Sequence, residues 1–124
     1  MVIPSWGVIS ATSVNQNAND SNITLLNEHS QMNIYRKTLQ LTGLDADHVS
    51  YVEAHGTGTT RGGPLEVGSI RTVFGNSNRP TGQTTYLGYL KSKISHTEAT
   101  SGLSGLIKVL LIMQKGVIPG QALL

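Results

Sequence analysis

Apolar and polar positions alternate in short runs along this chain, and stretches of helical period separate those runs. Val8 to Val14 sets apolar residues against small polar ones, the pattern of a half-buried strand. Asn15 to Asn22 is polar and rich in asparagine, and predicts a loop. From Ser30, residues Met32, Tyr35 and Leu39 fall at i, i+3 and i+7 and predict a helix that ends near Gly43. A turn follows at Asp45-Ala46-Asp47. Val49 to Glu53 predicts a second strand that leads to His55. Gly62-Gly63 then introduces a helix with Pro64 as its first residue and Glu66 in its first turn, running to about Phe74 and stopping at Gly75-Asn76. Asn76 to Thr85, with Pro80 and Gly82, predicts a loop, and Tyr86 to Leu90 a third strand ending at Lys91. The last helix is predicted over Ala99 to Gln114, with Gly116 and Pro119 beyond it. The order β-α-β-α-β-α favours a layered α/β architecture.

That last helix is apolar nearly all round. Leu103, Leu106, Ile107, Leu110 and Leu111 form one face, and Val109, Ile112 and Met113 cover much of the rest. Lys108 is the only charge between Glu98 and Lys115. Such a helix requires burial on nearly every side, which a small two-layer domain cannot easily provide. Gly102 and Gly105 allow another element to come close. The helix is therefore expected to belong to a larger, multilayer body, with the chain as a segment that leaves an apolar surface and associates through it.

Composition sharpens this picture. The 124 residues make one domain or a piece of one. Charged residues are only 13%, against roughly 25% in an average soluble domain, so the chain is poor in the groups that coat a free-standing globule. The net charge of +2 comes without a block of like charges, which argues against nucleic acid as a partner. The absence of cysteine excludes disulfides and thiolate metal sites, and fits a reducing compartment. No signal peptide is expected at Met1 to Gly7, and no membrane span, since no apolar run approaches about 18 residues.

With no cysteine and no nucleophile-elbow serine, the candidate chemistry rests on imidazoles and a lysine. His55 opens His55-Gly56-Thr57-Gly58-Thr59, where the glycines let backbone approach a ligand and the threonine hydroxyls offer hydrogen bonds. A plain glycine-rich turn with a hydrogen-bonded histidine explains the same residues about equally well. A phosphate loop is disfavoured, because neither the Gly-Lys-Ser/Thr ending nor a GxGxxG fingerprint is present. The second constellation is Lys91-Ser92-Lys93-Ile94-Ser95-His96-Thr97-Glu98. Ser95 and Glu98 have capping-box spacing, which would set His96 in the first turn of the apolar helix, where the dipole favours a neutral imidazole. Lys91 could pair with Glu98 or support a developing negative charge; as a bare strand-end lysine it would simply be solvated. A zinc site on His55 and His96 with Glu53 or Glu98 lacks any local ligand spacing, so no metal is expected. His29 and His48 read as ordinary surface residues.

Laid out together, these residues resemble the C-terminal part of a β-ketoacyl synthase domain of type I polyketide synthases. The matching stretches are Val14-Asn15-Gln16, Gly43-Leu44-Asp45, Tyr51 through Thr59, Gly62 through Glu66, Gly88 through Lys91, Ile94 through Gly102 and Gly105 through Lys108. They cover nearly the whole chain in order, and Asn15 to Asn19 and His96 to Gly102 are similar to fungal versions. The resemblance implies a thiolase-like fold, here only the C-terminal β-α-β-α-β-α portion of a layered αβαβα body, with residues 1–124 a partial ketosynthase domain. It implies decarboxylative Claisen condensation of acyl and malonyl thioesters, with His55, His96 and Lys91 in the active site and Thr57 and Thr59 on the phosphopantetheine arm. It implies no bound cofactor; substrates ride on the phosphopantetheine of an acyl carrier protein. The other implied partners are the rest of the ketosynthase domain, the neighbouring synthase domains and, in the complete domain, a second copy. It also implies a cytoplasmic location.

The resemblance further implies a reactive cysteine in a preceding part of the domain, which this cysteine-free chain does not supply. The chain alone is therefore expected to be inactive. Two positions depart from the family. Gly-Asp-Pro-Ile-Glu is here Gly62-Gly63-Pro64-Leu65-Glu66, losing a helix cap, and Asn-Ile-Gly-His is here Lys93-Ile94-Ser95-His96, which puts a charge and a side chain beside an imidazole. A rival expectation is thus a degenerate, non-catalytic ketosynthase remnant acting as a structural or carrier-docking segment. An independent small hydrolase or metal enzyme is a weaker third.

Overall fold

The computed structural model describes residues 5–16, 27–59, 62–75, 79 and 82–120. The first helix, α1, spans Glu28–Thr42. Its Asn27 side chain accepts the Ser30 N–H at 3.0 Å, and Gly43 closes it in the left-handed conformation at φ 67°. A 3-10 turn at Ala46–His48 leads into strand β1, Tyr51–Glu53. Helix α2 spans Gly62–Phe74 and strand β2 spans Tyr86–Gly88. A one-turn helix α3, Lys91–Ile94, and a 3-10 turn, Glu98–Thr100, precede α4, Ser101–Lys115.

β1 and β2 pair in parallel, with Tyr51 opposite Tyr86, Val52 opposite Leu87 and Glu53 opposite Gly88. A parallel pair needs a long crossover, and α2 lies in it. The alternation of strand side chains then divides the molecule. Val52 and Ala54 point to one face, where Ile70 and Phe74 of α2 form the core with Tyr35 and Leu39 of α1. The Tyr35 and Phe74 rings tilt against each other at 5.5 Å. Tyr51 and Glu53 point to the other face, toward α4.

Several expectations need correction. Val8 to Val14 is not a strand. Among the described residues no strand lies beside it to complete a ladder, and Val8 and Val14 stay exposed. The segment is instead held from its sides: Gly7 packs near Leu110 and Met113 of α4, and Asn15 donates to the Ser30 carbonyl at 3.0 Å. Part of the predicted Asn15 to Asn22 and Asn76 to Thr85 loops lies outside the described residues. α1 begins at Glu28 rather than Ser30, because Asn27 supplies the cap. The described part of α2 is already helical at Gly62, two residues before Pro64, and there the Thr59 hydroxyl accepts the Gly62 N–H at 3.1 Å. Glu66 consequently falls beyond the first turn, and Gly63 lies inside the helix rather than at its cap. β2 ends at Gly88, and Leu90 already caps α3.

α4 also starts later than predicted, at Ser101, so His96 is not in its first turn. The proposed capping box is not formed. Ser95 has φ 63° and ψ 179°, far from the extended backbone of a cap, and the Glu98 N–H is taken by the His96 ring. The apolar face of α4 is uncovered among the described residues: Leu103, Leu106, Ile107, Leu111 and Met113 are between 41% and 59% exposed. The inward residue is the charged one, Lys108, at 8%. No helix of the described residues is long and apolar enough to cross a membrane.

Candidate functional site

Both candidate motifs leave the carboxyl ends of the two paired strands, where an α/β sheet presents its ligand-binding crevice. His55 follows β1 and Lys91 opens the helix after β2. Glu66 of α2 fixes the first motif from below. Its carboxylate, 4% exposed, accepts the His55 N–H at 2.6 Å and the Gly56 N–H at 2.9 Å. The chain turns sharply there, with Gly56 at φ 55°. A Cβ on Gly56 would lie 2.7 Å from the Tyr89 ring, so only glycine fits between the turn and that ring.

The two imidazoles meet. Their ring centroids are 5.7 Å apart and the planes stand at 88°. Lys91 Nζ lies 3.0 Å from His55 Nδ1 and also donates to the His55 carbonyl oxygen. An ammonium can only donate, so His55 Nδ1 must accept and its proton sits on Nε2. The Glu98 backbone N–H donates to His96 Nδ1 at 2.9 Å, which by the same logic puts the His96 proton on Nε2. Two neutral rings with Nε2–H donors are therefore set edge to face. Partial desolvation lowers the His55 pKa from its usual value first, and the Lys91 cation second; the Glu66 carboxylate opposes them and His96 adds a smaller lowering. All of this favours the uncharged, hydrogen-bond-donating imidazole near neutral pH.

A cleft of about 410 Å³ opens beside these groups, lined by Thr57, Tyr89, Lys91, Ser92 and His96 among others, with Glu66 at its base. Burial, then the Glu66 charge, raises the Tyr89 pKa, so this wall stays a neutral phenol. His55 instead lines a smaller hollow of about 270 Å³ on the α4 side, and Lys91 borders both spaces.

The structure brings His55, His96, Lys91 and Thr57 together. Thr59 is turned to the start of α2 instead, where its hydroxyl accepts from Gly62. Lys91 does not pair with Glu98; it is held by His55. Lys93 also leaves the imidazoles, donating to the Gly120 carbonyl at 2.5 Å. His29 and His48 are exposed, as expected. Among the described residues no three His, Asp or Glu side chains gather into a group that could hold a metal. Sequence reasoning missed Glu66 as the anchor of the His55 turn and Tyr89 as a wall. Tyr89 was legible, because it sits between a strand and Lys91. Glu66 was not, because its partners lie ten and eleven residues back across a turn.

Residues 6–124 match the family described as beta-ketoacyl synthase, C-terminal domain. The chain is 49% identical over 116 residues to the non-reducing polyketide synthase dpmaA of Metarhizium anisopliae, an overlap of 94% of this chain and 5% of that protein. To the 5-methylorsellinic acid synthase of Aspergillus terreus it is 52% identical over 118 residues, or 94% of this chain and 4% of that protein. The chain thus spans about one twentieth of the length of these relatives. Among solved structures, the ketosynthase from module 6 of the bacillaene synthase of Bacillus subtilis 168 matches with a TM-score of 0.77 and 35% identity, over 87% of this chain and 19% of that one. The fold class is accordingly α/β, the C-terminal portion of a thiolase-like body. By its sequence and its fold, this chain belongs to the β-ketoacyl synthase family, of which it carries the C-terminal domain.

Proposed function

We propose that the chain supplies the decarboxylating half of a polyketide synthase ketosynthase site, with the nucleophilic cysteine contributed by the rest of the domain. The observation that carries this reading is the pair of Nε2–H donors, 5.7 Å apart by ring centroid, with His96 lining the larger cleft, His55 the adjoining hollow and Lys91 both. A malonyl thioester held there by its phosphopantetheine arm, delivered by an acyl carrier protein and lying along Thr57, presents its carbonyl oxygen to His55 and His96. The Cα–carboxylate bond breaks and CO2 leaves. Its electron pair enters the Cα–carbonyl system as an enolate, whose oxygen the two N–H groups stabilise as charge develops. The enolate carbon then attacks the acyl thioester on the cysteine and expels the thiolate. Lys91 keeps the His55 proton on Nε2 throughout. In this reading the complete domain is a homodimeric acyltransferase embedded among other synthase domains, and the protein is cytoplasmic.

The test is a graft. Residues 6–120 replace the matching segment of the 5-methylorsellinic acid synthase, and CO2 release from a malonyl carrier protein is followed. His55→Ala and His96→Ala are each expected to lower that rate by about 10²–10³-fold, the usual effect of removing one oxyanion donor. A grafted protein that decarboxylates equally well without either ring would end the proposal.

One observation favours the rival reading, a degenerate remnant with a structural or carrier-docking role. Ser95, adjacent to His96, holds φ 63° and ψ 179°, a region that is essentially glycine's alone. Ser95→Gly is expected to raise the unfolding free energy by about 1 kcal/mol, the relief of strain less glycine's extra chain entropy. Denaturant titration of the two chains measures it. If Ser95→Gly with Gly63→Asp lifts the grafted enzyme from near zero to a sharp rate of condensation, the natural chain is the remnant.

A further inference from the structure

The face of the sheet turned toward α4 buries an ion pair that the imidazole chemistry does not use. Lys108 Nζ lies 2.8 Å from Glu53 Oε2, with side chains only 9% and 11% exposed. The Tyr51 hydroxyl donates to the same oxygen, and the Lys108 ammonium stands 5.7 Å from the centre of the Tyr51 ring. The other oxygen, Oε1, accepts the backbone N–H of Leu90 at 2.6 Å. Leu90 caps α3 without a side-chain hydrogen bond of its own, and the next residue is Lys91. The backbone on both sides leaves room for this group. A Cβ on Gly88 would collide with the Tyr51 hydroxyl and the Glu53 carboxylate, and one on Gly105 would press on Glu53 Cγ at 3.4 Å.

A buried ion pair is a weak source of stability, because desolvating two charges costs about what their attraction returns. Its value lies in what it holds in place. One carboxylate here joins three elements: β1, two residues before His55; the start of α3, one residue before Lys91; and α4. We infer that Glu53, paired with and aimed by Lys108, is a positioning residue that sets Lys91 against His55. This deepens the role proposed for Lys91 and rests on it only for its catalytic meaning. The geometry itself predicts a physical consequence. Without the carboxylate the Leu90 N–H loses its acceptor, α3 shifts, and the Lys91 ammonium leaves His55 Nδ1.

The His55 titration reads that displacement directly. The charged and titratable groups around the ring are Lys91 from α3, Glu66 from α2 and His96 from the turn before α4. Burial lowers its pKa most and Lys91 next, His96 adds less and Glu66 raises it, so the midpoint moves up toward the ordinary 6.5 when Lys91 or His96 departs or when water gains access; a rise from water access would add to that of Lys91→Met, whereas a rise from the departure of Lys91 would not. In the full chain, ¹³C-labelled histidine NMR would follow the midpoint in three variants. Glu53→Met with Lys108→Met removes the carboxylate and its cation together, leaving no unpaired charge and no net change of field. Leu90→Pro removes the N–H that Glu53 accepts, with Leu90→Ala as the control for the lost side chain, and Leu90 already has φ −66°, which the proline ring requires. Lys91→Met gives the full shift. Both tests are expected to raise the His55 midpoint by as much as Lys91→Met does, with no further rise when combined with it. An unmoved or lowered midpoint in either folded variant, or a Lys91→Met shift that adds in full, overturns the inference. Neither readout needs turnover, so a grafted enzyme that fails to decarboxylate would sink the proposed function and leave this inference standing.

Discussion

Replacing Lys108 with alanine is expected to lower the unfolding free energy by about 3–5 kcal/mol, the range for breaking one partner out of a buried ion pair. Glu53 is left with its carboxylate inside the molecule, facing only the Tyr51 hydroxyl and the Leu90 N–H. Burial, then the hydrogen bond and charge of Glu53, raises the Tyr51 pKa well above the usual phenol range, so the tyrosine stays a neutral donor and offers no positive charge in place of Lys108. A sharp contrast is built into this prediction. Removing both partners together should cost far less than removing Lys108 alone, because the penalty is the unpaired charge and not the lost attraction. Urea titrations of Lys108→Ala, Lys108→Met and the double variant with Glu53→Met measure it. A loss under about 1 kcal/mol in Lys108→Ala would mean that water reaches the carboxylate and that the pair is not buried in solution.

Glu66→Gln is the second large effect. Two adjacent backbone donors converge on one carboxylate, at 2.6 and 2.9 Å, in a site that is 4% exposed. An amide offers one oxygen and one NH₂ group, so at least one of the two N–H groups would face a donor. A hydrogen bond to a charged group contributes about 1.5–3 kcal/mol, and a stranded buried donor costs about 1–3 kcal/mol. A loss of about 3 kcal/mol is therefore expected, together with faster amide exchange at His55 and Gly56. The second measurement separates this cause from general weakening: exchange at the far end of α1 should quicken only as much as global stability falls. If His55 and Gly56 exchange no faster than α1, the carboxylate is not what holds the turn. Since Glu66 also raises the His55 pKa, its neutralisation should move that midpoint down, opposite to the loss of Lys91.

The two effects share a design. Each histidine-bearing segment is tied from behind by a carboxylate that accepts backbone N–H groups: Glu66 under His55, and Glu53 under the residue before Lys91. Backbone anchoring leaves the side chains free for the cleft. It also explains why the site stays formed although both rings are exposed and the apolar face of α4 is uncovered among the described residues.

The sequence by itself determined the helices α1, α2 and α4 and the strands β1 and β2 to within a few residues, because their apolar periods and their Gly43, Gly75 and Gly116 stops are local signals. It also determined that His55 and Lys91 would stand just past strand ends, and that Lys108 was a lone charge in an apolar helix, but not that His96 would follow the short α3. Only the tertiary structure decided the rest. Val8 to Val14 has a strand's alternation, but a strand exists only where a neighbour accepts its hydrogen bonds. Ser95 and Glu98 have a cap's spacing, but the His96 ring takes the Glu98 N–H first. Glu53 and Lys108 are 55 residues apart, and no local pattern states that they touch. Propensity and periodicity act over one or two turns of chain. The partners of a buried charge are chosen by which elements pack together, and that choice is made in three dimensions.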